Sequence, residues 1–198
     1  MEQAQRIAKW KTTYDKLKYS FELVNLHEGS IVPTYSEMGS IYTDEEFVNR
    51  VSPYLNLVAD KEIKPYKYRR MNGRSVRKDS LIYFDKFVEN KDGVLLSFKS
   101  RDEQKEQDEK NLVNIARKYY MFVDINGKEK PNRIGQDIFF VSINKNDISA
   151  LGTGKTTNQL KVGCSPIGNG IYCSEYYLLG GQIWLYYRWF HGSYNVLT

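Results

Sequence analysis

The sequence predicts an α+β fold: a long leading helix packed on an antiparallel β-sheet of about four to five strands. Two observations carry this expectation. Apolar residues near the start recur with a helical period, and the second half consists of short runs of β-branched and aromatic residues bounded by Gly, Asn or Asp. A third supports it, since sixteen Tyr, nine Phe and three Trp in 198 residues favour pleated surfaces.

Ile7, Trp10, Tyr14, Leu17, Phe21 and Val24 advance by alternating steps of three and four, which places them on one stripe of a single helix. No helix breaker occurs before Gly29, so the helix is expected from about residue 2 to residue 27. In "TDEEFVNRVSPYL", Thr43 and Glu46 form a capping box, and a second helix is expected to stop at Pro53. "LIYFDKFV" and "GVLLSF" then predict a hairpin joined through "ENKD" and Gly93. Further strands are expected in "ARKYYMFVDING", "DIFFVSINKND" and "GQIWLYYRWF". The chain is thus taken as one domain: residues 1–28 a helical stem, 29–79 a helix and loop region, and 80–198 the sheet.

The formal charge of +5 is local in origin. Eight Lys or Arg lie between Lys61 and Lys78 against the single acid Glu62, with Pro65 and Asn72-Gly73 interrupting any helical period. A solvated loop is expected there, with no nucleic acid bound. "RDEQKEQDEK", residues 101–110, has no apolar residue and predicts an exposed connection. Cys164 and Cys173 are the only cysteines and lack the partners of a zinc site; they close a short loop as a disulfide or remain free thiols.

"GTGKTT", residues 152–157, invites comparison with a phosphate-binding loop. Ser149 stands where that loop needs its first glycine, and "TTNQLKVGCSPIGNG" has no apolar stripe at helical spacing. A flexible polar loop with a solvated Lys155 and no nucleotide is expected.

"VDINGKEKPNRIGQDIFF" resembles the DxNGxxGPNxxGxDxF signature of type IV pilin-like proteins, the prepilin and pseudopilin group of bacterial pili and type II secretion systems. The matching positions are Asp124, Asn126, Gly127, Pro131, Asn132, Gly135 and Asp137, with Lys130 replacing the glycine before Pro-Asn. "IAKWKTTYDKLKYSFELV" is similar to the stem of the pilin spine helix, and "NKDGVLLSF" to the hairpin before the signature. "CSPIGNGIYCSEYYLLGGQIWLYY" is similar to a C-terminal cysteine pair around a glycine-rich loop before a last strand, which implies a structural disulfide between Cys164 and Cys173.

The resemblance implies a non-enzymatic filament subunit that partners other pilin or pseudopilin subunits at the cell surface or in the periplasm. It also implies membrane anchoring before assembly, through an apolar half-helix and leader absent ahead of "MEQAQRIAKWKTTYDK", so that Met1 marks a truncation. Asp124, Asn126 and Asp137 have two readings: a calcium site of the kind some pseudopilins carry, or caps on turns. No nucleophile motif, metal-ligand spacing or carboxylate pair points to an enzyme. The alternative function is a surface ligand- or glycan-binding module. It rests on "IWLYYRWFHGSY", where strand alternation separates Trp184, Tyr186 and Arg188 from Leu185, Tyr187 and Trp189.

Overall fold

Helix α1 (Gln3–Glu28) turns the apolar stripe into a packing surface. Trp10, Leu17, Phe21 and Val24 are buried, and Ile7 and Tyr14 lie at the margin of the same core. The structure, a computed structural model, describes residues 3–33, 43–58, 63–80, 82–101 and 118–181.

Helix α2 (Asp44–Leu55) begins with the expected capping box: Thr43 N–H donates to Glu46 Oε2 at 2.7 Å, and Glu46 N–H donates to Thr43 Oγ1 at 3.1 Å. The helix does not stop at Pro53 but runs through it to Leu55. The carbonyl that loses its partner there is that of Asn49, an exposed residue open to water. Burial of Phe47, Val51 and Leu55 along one side holds the last turn in place.

The sheet has five strands in the order β1 to β5: β1 (Val88–Glu89), β2 (Leu95–Arg101), β3 (Lys118–Asp124), β4 (Ile138–Ile143) and β5 (Ile148–Ala150). Every neighbouring pair is antiparallel, and the register pairs Leu96 with Val123, Phe122 with Phe140, and Val141 with Ala150. Alternation sends Leu96, Phe98, Met121, Val123, Phe139 and Val141 toward α1 and α2. Leu95, Phe122, Ile138 and Phe140 enter a second cluster on the opposite face, with Ile63, Tyr68, Ile82, Phe84 and Phe87. Burial on both faces is why these strands read as continuous apolar runs.

The hairpin around Asn90 and Gly93 forms as expected, but most of "LIYFDKFV" does not join it, because only Val88–Glu89 pairs with β2. Residues 82–87 lie across the sheet instead, and side chains satisfy their backbone. Tyr68 Oη donates to Ile82 O at 2.7 Å and accepts from Phe84 N–H at 2.8 Å, while Ser97 Oγ donates to Lys86 O.

After β5 the chain is more ordered than a flexible loop. A turn leads into helix α3 (Thr157–Gly163), and helix α4 (Cys173–Leu178) follows the cysteine loop. Thr156 and Gln159 form a second capping box, a signal that the absence of an apolar stripe concealed; Leu160 is the only buried residue of α3. The expected acidic connection and the expected last strand, with its aromatic cluster at Ile183–Tyr194, lie outside the described residues.

Candidate functional site

Three segments that are distant in sequence meet beside the end of the sheet where β3 leaves and β4 enters. They are the signature turn between β3 and β4, the cysteine loop, and the extended stretch around Tyr66 to Arg74. Backbone bonds join them: Arg69 N–H to Asn132 O at 3.0 Å, Ile134 N–H to Arg69 O at 2.9 Å, Met71 N–H to Asn169 O at 3.3 Å and Asn72 N–H to Gly168 O at 3.2 Å. Cys164 and Cys173 form a disulfide with both residues buried, and Cys173 Sγ lies 3.6 Å from Met71 Sδ.

Two glycines permit this approach. A Cβ on Gly135 would sit 2.5 Å from Cys173 Sγ, and one on Gly170 would sit 2.4 Å from Ile134 O. Both residues also have positive φ, so each position excludes other side chains twice over. Of the signature residues, Gly127 makes the turn after β3 with φ +68, and Asn132, following a cis Lys130–Pro131 bond, adopts φ 49.

Asp124 and Asp137 are fully buried, and each binds the turn. Asp137 accepts from Asn132 N–H and Arg133 N–H, both at 2.7 Å, one on each carboxylate oxygen. Asp124 Oδ1 accepts from Asn126 N–H at 3.2 Å, and its Oδ2 accepts from Tyr66 Oη. Asn126 Nδ2 donates to the carbonyls of Glu129 and Lys130 at 3.2 and 3.4 Å. All four carboxylate oxygens therefore hold protein donors, as turn capping requires, while Asn126 Oδ1 and Asn132 Oδ1 are buried without a hydrogen-bond partner. Among the described residues no group of three or more His, Cys, Asp or Glu could hold a metal.

Burial pushes Asp124 up to about 8, with repulsion from Asp137 adding to it and the Tyr66 and Asn126 donors opposing. Burial likewise raises Asp137, against its bonds from Arg133 and Asn132 and the attraction of Arg6. Tyr66 is raised by burial and by the adjacent Asp124. Buried carboxyls whose oxygens all hold bonds act as structural fasteners, because no substrate can reach them.

The stripe residues meet this region through Trp10. Its ring stacks on Phe139 at 4.4 Å, and its Nε1–H donates to Ser174 O at 2.9 Å. Ser174 Oγ in turn accepts from Phe140 N–H at 2.9 Å, so α1, β4 and α4 are tied at one point. Lys155 stands apart in the turn after β5, exposed and next to an antiparallel strand. Thr156 already caps the helix that follows. Ser149, in β5, stands where a phosphate-binding loop has its first glycine.

Sequence reasoning missed Tyr66, Met71 and Ser174. The first had a signal, since Tyr66 and Tyr68 alternate with Lys67 and Arg69 at a two-residue period inside the basic stretch. Met71 and Ser174 had none. No protein-family model matches the chain, and no curated protein or solved structure matches it either.

Proposed function

We propose that this chain is a structural subunit of a type IV pilus-like or type II secretion pseudopilus filament, assembled through its leading helix with the sheet region exposed. The observation that supports this reading most strongly is α1. It runs 26 residues and buries one stripe on the sheet, while Tyr19 and Leu26 remain 63% and 74% exposed on its outer side. Seven residues apart, the two lie on one side of the helix, the spacing that a packing contact with a neighbouring helix would use.

The turn-capping aspartates and the disulfide loop support the same reading, since together they stiffen a head beside the end of the sheet. A disulfide suits an oxidising compartment such as the periplasm or cell surface. No described helix is long and apolar enough to cross a membrane, so the proposed anchor would be an apolar segment continuous with α1.

The test is made in the cell that encodes the chain. Antibodies raised against residues 3–181 should label surface or periplasmic filaments, and single cysteines at Tyr19 and Leu26 should cross-link subunits within them. Labelling confined to monomers, with no cross-link at either position, would remove the proposal.

A further inference from the structure

We propose that the basic face formed by Lys67, Arg69, Arg74, Lys128, Lys130 and Arg133 is a docking surface for an anionic polysaccharide, one that repeats a carboxylate or sulfate group along its length. The fold builds this face from two segments of separate origin. Arg69 pairs with Arg133 in a parallel bridge and with Ser75 in an antiparallel one. Arg69 N–H donates to Asn132 O at 3.0 Å and Ile134 N–H donates to Arg69 O at 2.9 Å, which sets the start of the 70–74 turn beside the 128–133 loop.

The side chains point outward for a reason visible in the backbone. Along the extended stretch Tyr66 and Tyr68 face the sheet, so Lys67 and Arg69 between and after them face solvent. Lys67, Arg69, Arg74, Lys128 and Lys130 are exposed and Arg133 is half-buried. Among the described residues none of the six has a carboxylate within ion-pair distance. Glu129 is the one acid exposed within the 128–133 loop. Asp124 and Asp137, which lie beneath, are covered and bonded. Unpaired like charges held side by side on rigid turns repel one another, and a polyanion relieves that repulsion.

The chemistry favours a glycan over a nucleic acid. A single-strand site interleaves its cations with exposed aromatic rings for stacking, and a duplex reader sends a helix or a two-stranded ribbon into the groove. Here the aromatic rings of the basic stretch are turned into the core, and the face is made of turns and loops. What remains exposed is charge and hydrogen-bond donors, which recognise a repeated anion.

The protein is passed over immobilised heparin as a sulfated glycan and over neutral dextran, and is titrated with heparin and with a short DNA duplex at several salt concentrations. Retention on heparin alone is expected, falling with salt. The combined Arg69→Glu, Arg74→Glu and Lys128→Glu variant should bind heparin at least ~10-fold more weakly. A control with the same net charge, Lys18→Glu, Lys99→Glu and Lys155→Glu, places its reversals on three other elements and should lose ~3-fold or less. Circular dichroism checks folding; if the first variant does not fold, the corresponding triple Gln variant replaces it. Equal losses in the two variants, tighter binding to DNA than to heparin, or no retention at low salt would each overturn the proposal. These results are independent of whether filaments form.

Discussion

The two faces of the sheet are buried to the same degree but by different means. Toward α1 and α2 the cover is helical and satisfies its own backbone, so Trp10, Phe21 and Phe47 need only fit the strands. On the other face the cover is irregular chain, and its backbone polar groups depend on Tyr68, Ser97 and a few long-range bonds. A regular cover is built from one periodic segment. An irregular cover needs many local agreements, and it leaves its own outer side free to carry charge.

The largest effect expected is on the helical side. Trp10→Ala would remove a ring stacked on Phe139 and leave the Ser174 carbonyl without its indole donor. A cost of about 4 kcal/mol is expected, which lowers Tm by roughly 10 °C. Phe84 is equally buried on the other face, with rings of Phe122 and Phe140 at 5.7 and 6.0 Å. Phe84 itself sits on irregular chain that can settle toward the strands and it makes no side-chain hydrogen bond, so Phe84→Ala should cost about 3 kcal/mol, the low end for a buried ring. Equal losses in thermal melts would break the distinction between a rigid and a yielding cover.

The same distinction explains what could be read in advance. The α1 stripe, the Thr43 capping box, the turn at Asn90 to Gly93 and the apolar runs of strands β3 and β4 each leave their signal within one short window. The region around residues 82–87 has β-type composition yet pairs hardly at all, because Tyr68 and Ser97 supply from a distance the bonds a ladder would have given. The seven-residue α3 was missed because it buries only Leu160 and therefore has no stripe to detect. Asp124 and Asp137 could be recognised as polar loop residues. Choosing between metal ligation and turn capping required knowing where Tyr66, Asn132 and Arg133 lie.

A smaller effect sharpens the comparison where the two covers meet. Gly135 and Gly93 have nearly equal φ, +80 and +76, so backbone strain alone predicts equal penalties for alanine. Their surroundings differ. A Cβ at Gly93 meets nothing within 4 Å, whereas one at Gly135 strikes the disulfide at 2.5 Å. Gly93→Ala should therefore cost about 1 kcal/mol and Gly135→Ala on the order of 3 kcal/mol, measured by denaturant unfolding. Matching values would mean that the cysteine loop gives way, and that the packing of the signature turn on the disulfide is loose.

The smallest effect concerns pH, and it isolates the fasteners of the irregular side. Burial holds Asp124 at about 8 in the folded chain, above its ordinary value of 3.8, so the folded state keeps a proton that the unfolded chain releases. Its contribution is fully present below the unfolded value and is lost as pH rises through about 8. Asp137 is shifted in the same direction and adds to the trend. Tm should therefore fall by several degrees between pH 5 and pH 8, in contrast to a protein whose carboxylates are stabilised as anions. Asp124→Asn keeps an acceptor for Asn126 N–H and places an amide N–H donor against Tyr66 Oη, which then accepts; it has no proton to lose, so its Tm should fall less over the same interval. Lys9 on α1 attracts the Asp124 anion and works against the shift, so Lys9→Gln should steepen the fall in the parent chain and leave the Asn variant unchanged. A parent Tm that rises from pH 5 to pH 8, or an Asn variant with the parent's slope, would mean that Asp124 is ionised in the folded state and that its two donors outweigh its burial.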